Sequence, residues 1–558
     1  MTQRTRLIVI GGVAGGASAA ARARRLSETA EIIVVERGPH VSFANCGLPY
    51  YVGGEIADQS ALLVQTPEKL RARFNMDVRV NTEAVGIDRQ RKVVSLRHAD
   101  GTATDESYDA LILSTGAAPL RPPIPGIDRP GHFVIRSVPD ALTIEKWVST
   151  RAHRRATVVG GGYIGLEMAE QLVRRGMEVT VVEALPQVAA FVDPEMAALI
   201  HQALRQNGIR LHLGDPVAEF AAPASDYDGD ASVVVLKSGV RVPSDLVILG
   251  MGVRPETSLA RSAGLQIGRT GGIQVDDCLR TSDPSIWAVG DAVEIRHAVT
   301  GQPMLLPLAG PANRQGRIAA ENALGGNVTY RGTYGTGIMR VFDVVVGGTG
   351  ANSRMLAAAD IPFAAVHLHP ADHAGYYPGA CPIALKVFYS PETGRLLGAQ
   401  AVGRAGVDKR IDVLATAIQA GWTVERLAEV ELAYAPPFGS AKDPVNLAGM
   451  VASNVRRGLV EMAYTGDLET LDPATSLLLD VRDDDEWAEG FIPGAVHIPL
   501  DQLRGRLGEL PDDREIIAYC RSGQRSYYAC RILTQNGFRA RNLSGAYLTW
   551  LTSQPATT

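Results

Sequence analysis

One supersecondary pattern is written twice in this chain. Residues 7–36 read LIVIGGVAGGASAAARARRLSETAEIIVVE, and residues 157–183 read TVVGGGYIGLEMAEQLVRRGMEVTVVE. Each copy is a short apolar strand ending in glycines, a helix, and a second apolar strand closed by a carboxylate. Neighbouring parallel strands need a crossover connection, so each copy predicts a βαβ unit in a parallel sheet. The second copy holds a complete G-x-G-x-x-G. Gly160 permits the tight turn, Gly162 lets backbone approach a pyrophosphate, and Gly165 allows close helix–strand packing. Glu183 ends the strand that follows; a carboxylate there accepts hydrogen bonds from a free ribose 2′-OH and repels a 2′-phosphate. Ala184, Leu185 and Pro186 come next, so no adjacent arginine offers a phosphate clamp. The first copy has Gly11, Gly12 and Gly16, with Val13 at the middle glycine's position and Glu36 at the strand end. Two such units predict two dinucleotide sites, or one cofactor and one reductant.

At 558 residues the chain exceeds what a single core organises, so several domains are expected. A formal charge of -5 supplies no field for nucleic acid, and an anionic ligand must be held by local basic groups. The five cysteines, Cys46, Cys278, Cys381, Cys520 and Cys530, form no CxxC pair and no metal-ligand spacing. That predicts a reducing compartment and no metal site. The first strand starts directly after Arg4 and Arg6, and no uncharged apolar run approaches the roughly 18 residues of a membrane span. The expectation is a cytoplasmic protein with neither membrane nor nucleic-acid partners.

Between the two copies, APLRPPIPGIDRP at 118–130 reads as a connection between domains. DLVILGMG at 245–252 closes the second unit, and IWAVGDA at 286–292 is another strand ending in Gly-Asp. From about Gly332 to Gly449 no further glycine fingerprint occurs, and the pattern becomes that of an α+β domain. A polar stretch near 463–475 reads as a linker. A small βα module follows, with strands LLLDVR at 477–482 and EIIAYC at 515–520 and a helix-like SYYACRIL at 526–533.

With YDALILSTGAAP at 108–119, MGVRPET at 251–257 and IWAVGDA added to the two fingerprints in order, residues from about Leu7 to Gly449 resemble the pyridine nucleotide-disulfide oxidoreductases. The resemblance implies FAD on the first unit, held by Gly11, Gly12, Gly16, Glu36, Arg37, Thr115, Gly116 and Asp291. It implies NADH on the second, held by Gly160, Gly162, Gly165 and Glu183, and a later domain that builds a homodimer. Residues 477–500 and the loop CRSGQRS at 520–526 resemble a rhodanese domain. The expected fold is α/β, with two Rossmann-like dinucleotide-binding domains, an α+β dimerisation domain and a small α/β rhodanese domain. Its expected boundaries are 1–117 and 253–325 for the FAD domain, 118–252 for the NADH domain, and 326–455 for dimerisation. A linker at 456–472 and the rhodanese domain at 473–558 complete the chain.

The redox group narrows the substrate. SFANCGLPYY at 42–51 supplies one cysteine, Cys46, and no resolving thiol for a CxxxxC pair. A single cysteine beside flavin can cycle through sulfenic acid, as in NADH peroxidases and oxidases, or through a mixed disulfide with a small thiol. The peroxidases carry a histidine in the first glycine turn; here that turn is GGVAGG. GGVAGGASAAARARR, SFANCGLPYY, HAGYYPGA at 373–380 and YAPPFGSAKDPVN at 434–446 resemble CoA-disulfide reductases. That resemblance implies that Tyr376 (favoured over Tyr377) and Tyr434 reach the partner subunit's active cysteine, where a phenol protonates a departing thiolate. It also implies coenzyme A contacts from Ser42, Asn45 and Lys442, with Ser18, Arg22 and Arg25 as candidates on the first helix.

In the second module a cysteine ends a strand and enters a helix through small residues. Such a loop surrounds one sulfur with N–H groups and suits a persulfide. Cys520 is its nucleophile, Arg521 and Arg525 add positive charge, and Cys530 reads as a core thiol. Asp480, Arg482, Glu486 and His497 read as supports of the loop. A persulfide carrier has no use in plain disulfide reduction. NADH-dependent reduction of CoA persulfide or polysulfide therefore ranks first, with CoA disulfide also reduced and a protein persulfide donor conceivable. The alternatives are an NADH peroxidase or oxidase, a CoA-disulfide reductase with a passenger rhodanese, a sulfurtransferase with a vestigial reductase, and a redox-sensing module. The carboxylate of Glu183 yields the first testable outcome: the purified yellow protein is reduced faster by NADH than by NADPH in stopped-flow absorbance. Equal or faster reduction by NADPH removes Glu183 from that role.

Overall fold

The computed structural model describes residues 5–150, 154–223 and 232–554. The chain divides into two units, Met1–Val188 with Gly208–Thr333, and Ala189–Asn207 with Tyr334–Thr558.

The first unit holds both written copies as all-parallel five-stranded sheets. One sheet has the spatial order Ile286–Ala288, Ala110–Leu113, Arg6–Ile10, Glu31–Val35, Asp77–Arg79. The other runs Arg210–Leu213, Glu178–Glu183, Arg155–Val159, Leu246–Leu249, His132–Phe133. Leu7, Ile8, Val9, Val34, Leu111 and Ile112 are fully buried, as strands covered on both faces must be. In each sheet the strand before the glycine turn lies between its βαβ partner and a strand from later in the chain. The order of strands therefore reverses at the turn, which leaves a crevice at their carboxyl ends. The turn glycines are required by sterics. Gly11 has φ +95°, and a Cβ there would lie 2.1 Å from the Ser114 carbonyl oxygen; Gly160 has φ +110°, with the Gly250 carbonyl at 2.2 Å.

In the second unit an antiparallel sheet runs Gly337–Val341, Val344–Gly350, Leu396–Gly403, Ile383–Tyr389, Ala364–Leu368. Helices Val407–Gln419 and Pro444–Arg456 pack on it. The helix Pro194–Gln206, inside the expected 118–252 domain, also packs on this sheet. Its start is tied there by charge: the buried Lys386 ammonium pairs with Asp193 at 2.7 Å and with Glu195, and Gln400 bonds Asp193 twice. A buried ammonium needs such partners, and the carboxylates hold the Lys386 pKa above the ordinary lysine range against its burial.

The last module is a parallel sheet in the order Glu461–Ala463, Ala540–Leu543, Glu515–Tyr519, Ser476–Asp480, Val496–His497. The stretch 456–472 is thus not a free linker. It supplies the edge strand Glu461–Ala463, paired with Arg541–Leu543, and a 3₁₀ turn Thr465–Thr470. Polar composition hid this strand, because its partner lies some eighty residues downstream. Inside the module Arg482, 2% exposed, forks onto the fully buried Asp480 at 2.6 and 2.9 Å and lies 4.1 Å over the Tyr547 ring. It also donates to the carbonyls of Glu486 and Gly490. Replacing Arg482 with Ala strands a buried carboxylate, which costs about 3–5 kcal/mol. Calorimetry of Arg482→Ala should show this module melting separately and early, while the transition of the first unit stays in place.

Candidate active site

At each glycine turn the terminal carboxylate is already anchored to backbone. Glu36 accepts from the N–H groups of Gly12 at 2.9 Å and Gly38 at 2.8 Å; Glu183 accepts from Gly161 at 2.6 Å and Leu185 at 2.8 Å. Each carboxylate keeps further lone pairs for a ribose hydroxyl. Gly162 caps the helix Tyr163–Arg174, and a Cβ there would meet open space, so the backbone is free for a pyrophosphate to approach. At the first turn Val13 caps the helix Ala14–Leu26. Thr115 and Gly116 follow the strand Ala110–Leu113 beside that turn, with the Thr115 hydroxyl donating to the Glu256 carbonyl at 2.6 Å. Arg37 and Arg136 both face Glu256, at 3.6 and 4.0 Å. Burial lowers the Arg136 pKa, with Arg37 adding to the effect. Asp291 is in the turn Gly290–Ala292, and burial pushes its carboxyl pKa up. Two cradles of this kind in one unit fit two dinucleotides. Arg136 was not singled out from sequence, because only the fold brings it to this crevice.

Cys46 lies in the 3₁₀ turn Asn45–Gly47, just before the helix Leu48–Gly53, with an exposed face. Its surroundings raise its pKa: first partial burial, then the charges of Glu167 and Asp291. Glu167 accepts from Tyr50 at 3.2 Å and also raises the Tyr163 pKa, behind burial. These residues of YIGLE were legible as part of the second fingerprint, yet nothing in the sequence placed them near Cys46. Ser42 adopts φ +47° and donates its N–H to the Gly12 carbonyl, which fixes the cysteine loop to the first glycine turn. Among the expected coenzyme A contacts, Asn45, Arg25 and Lys442 are exposed. Ser18 and Arg22 face the helix Ala309–Ala323 instead, bonding Asn313 at 2.7 Å and Glu321 at 2.7 Å. A phosphate at Arg22 would compete with that ion pair.

In the second unit the phenol oxygens of Tyr376 and Tyr434 are 2.9 Å apart, although 58 residues separate them in sequence. The Arg410 guanidinium, 2% exposed, joins their two loops. It pairs with Asp443 at 2.8 Å and donates to the Asp372 carbonyl at 2.7 Å, while the Ala374 N–H donates to the Gly439 carbonyl at 2.9 Å. Sequence reasoning passed over Arg410, one charge among several at a helix start. Tyr376 and Phe438 are 76% and 72% exposed and Tyr434 47%, an aromatic patch suited to cover by another protein surface.

In the last module the Cys520 sulfur accepts the Gly523 N–H at 3.1 Å and the Ser526 hydroxyl at 3.5 Å. Gly523, φ +102°, caps the helix Gln524–Gln535. Arg525 is held by Asp483 at 2.9 Å and Glu486 at 2.6 Å, so its charge reaches the sulfur already paired. His497 bonds the Arg482 carbonyl at 2.9 Å and stacks on Trp487. Cys530 is buried, and its thiol is pushed up to about 12 by burial first and then by Cys520.

Residues 5–312 match the pyridine nucleotide-disulphide oxidoreductase model, 338–444 the dimerisation domain of that family, and 466–553 the rhodanese-like domain. The chain belongs to the pyridine nucleotide-disulphide oxidoreductase family. It is an NAD(P)H-dependent flavin disulfide oxidoreductase joined to a rhodanese domain. Curated relatives include a protein named NADH oxidase from Methanocaldococcus jannaschii, 34% identical over 79% of this chain and 97% of its own length. Another, named coenzyme A disulfide reductase, from Staphylococcus haemolyticus, is 33% identical over 81% and 100%. Two solved structures match along nearly the whole chain. Reduced Bacillus anthracis CoADR-RHD is 45% identical, with TM-score 0.95 and coverage of 99% and 98%. An NAD-dependent persulfide reductase from A. fulgidus is 40% identical, with TM-score 0.91 and coverage of 98% and 100%. No helix among the described residues is long and apolar enough to cross a membrane.

The charge beside Cys46 can be tested directly. Glu167→Gln removes one of the two carboxylates that raise the thiol pKa. Alkylation of the Cys46 peptide in the reduced holoenzyme, followed by mass spectrometry across pH, should then have its midpoint at lower pH than in wild type. An unchanged midpoint means Glu167 does not act on this sulfur.

Proposed function

We propose that this chain is an NADH-dependent persulfide reductase that works as a homodimer and also reduces coenzyme A disulfide. The observation that carries it is the pairing of two sulfur sites in one chain: Cys46 beside the first glycine turn, and Cys520 under a helix N-terminus. A disulfide reductase needs the first; the second serves a sulfane sulfur. The cytoplasm is the proposed location, given sparse unpaired cysteines. NADH is favoured over NADPH by Glu183.

Bound FAD supplies the two-electron link between NADH and sulfur. The chain's own part begins with the Cys46 thiolate. It attacks coenzyme A persulfide at its outer sulfur, leaving Cys46–S–SH and releasing the coenzyme A thiolate. Two electrons and a proton then return the Cys46 thiolate and release hydrogen sulfide. With coenzyme A disulfide the same attack leaves Cys46–S–S–CoA, and two electrons and a proton return the thiolate and free coenzyme A. The Tyr376–Tyr434 pair is proposed to donate the proton to the departing thiolate from the partner subunit, which accounts for its exposure in a single chain. At the other site a donor persulfide passes its sulfur to Cys520, and the Gly523 N–H supports the terminal anion. Cys520 then hands that sulfur to a small acceptor such as coenzyme A.

The Methanocaldococcus relative, named NADH oxidase, favours a second reading, NADH oxidation through a Cys46 sulfenic acid. That relative spans 79% of this chain, whereas both near-full-length structures also span the region of Cys520.

Separating the cysteines tests the proposal. Cys46→Ser should abolish NADH turnover with every sulfur substrate and leave sulfur transfer from thiosulfate intact. Cys520→Ser should abolish that transfer, spare reduction of coenzyme A persulfide, and stop turnover of a protein-borne persulfide. If Cys520→Ser leaves every sulfane donor unaffected, the rhodanese is a passenger. If peroxide or oxygen outpaces all sulfur substrates in the wild type, the oxidase reading replaces this one.

A further inference from the structure

The turn that carries Tyr376 has a backbone bond from the Tyr377 N–H to the Ala374 carbonyl at 2.8 Å, and its base is spanned by one histidine. His373, 9% exposed, has Nδ1 2.9 Å from the Asp372 carboxylate and Nε2 3.3 Å from the Pro378 carbonyl oxygen. Both partners are acceptors only. A neutral imidazole has one N–H and satisfies one of them; an imidazolium has two and satisfies both. Asp372 is held as a carboxylate, since it also accepts the Cys381 N–H at 2.8 Å and its pKa is lowered by that bond and by His373. The N-terminal end of the turn is anchored independently, through the Asp372 carbonyl on Arg410 and the Ala374 N–H on Gly439. The far end, at Pro378, is drawn back across the turn by His373 Nε2. Tyr376 lies between these two ends.

We propose that His373 is a positioning residue: as an imidazolium it clamps residues 373–378 and holds the Tyr376 phenol against Tyr434, so that proton delivery to the sulfur substrate depends on this one histidine. The proposal rests on the functional reading of the two tyrosines given above.

Other charges near the clamp are accounted for by neighbours. Arg410 is paired with Asp443, Lys409 lies 3.7 Å from Asp443, and the Cys381 thiol is raised in pKa by burial and then Asp372, with Arg404 opposing. The Tyr377 ring meets His373 edge-on at 5.7 Å. The direction of titration follows. The His373 pKa is raised from 6.5, chiefly by its hydrogen bond to Asp372. The clamp is therefore complete below the ordinary histidine value and is lost as pH rises through the raised one.

The test uses the full-length holoenzyme, with coenzyme A disulfide as the probe. In wild type, kcat/KM should fall on the alkaline side of the histidine range in a single-proton step, while NADH reduction of the flavin stays flat. His373→Gln retains a donor but cannot titrate; it should lower kcat/KM roughly 10–100-fold through misplacement and abolish that step. Asp372→Asn should move the step to lower pH. Hydrogen exchange of the 374–380 peptide, corrected for intrinsic rates, reads the clamp without catalysis. Protection of the Tyr377 amide, bonded to the Ala374 carbonyl, should weaken as pH rises in wild type and be lower and pH-independent in His373→Gln. Retention of the alkaline step in His373→Gln, or pH-independent protection in wild type, overturns the proposal. If wild type does not turn over coenzyme A disulfide, the functional reading fails, and the exchange data still decide the clamp.

Discussion

Both glycine turns and the Cys520 loop are built on N–H groups at the start of a helix that follows a parallel strand. Three residues separate Arg6–Ile10 from Ala14–Leu26, and three separate Arg155–Val159 from Tyr163–Arg174. Four separate Glu515–Tyr519 from Gln524–Gln535. The first turns of a helix leave donors without intrahelical partners, and the dipole makes that end electropositive. In the two three-residue turns these donors face a crevice open to an external phosphate. In the third, one more residue puts the Cys520 side chain in the anion's place. The same physics thus serves a bound ligand twice and a covalently carried sulfur once.

The two cysteines sit in opposite surroundings. Cys46 is near two carboxylates, and burial adds to their effect, so the apoprotein disfavours its anion. Cys520 receives a backbone N–H and a hydroxyl. In the proposed function the first sulfur takes part in reduction and the second carries sulfane sulfur, and this contrast in surroundings supports that division.

What the sequence made legible was local. The two βαβ units, the Cys46 loop and the Cys520 loop each depend on residues within one supersecondary element, so period and glycine spacing expose them. The ties of the helix Pro194–Gln206 to the antiparallel sheet were not legible, because they run to Lys386, nearly two hundred residues away. The edge strand Glu461–Ala463 was read as linker for the same reason. Arg410, Arg136 and Glu167 acquire meaning only when tertiary contacts bring their partners. Arg22 shows the reverse case: a basic residue that spacing offered to a phosphate is already matched to Glu321.

The rhodanese module is docked within the second unit, and this constrains how sulfur can travel. The Tyr464 hydroxyl donates to the Ala365 carbonyl at 3.0 Å, and the His367 N–H donates to the Ser544 hydroxyl at 3.0 Å. His369 and Thr549 bond at 2.8 Å. His369 is buried with its pKa lowered to about 4, and burial also lowers that of His367, so both imidazoles stay neutral at neutral pH. Only residues 457–460 separate the helix Pro444–Arg456 from the module's first strand. Such a short, anchored join gives no swinging arm, and the effective-concentration gain of a flexible tether does not apply. In the proposed function a small diffusible acceptor meets this constraint: coenzyme A can collect sulfur at Cys520 and enter the cleft of Cys46 as its persulfide.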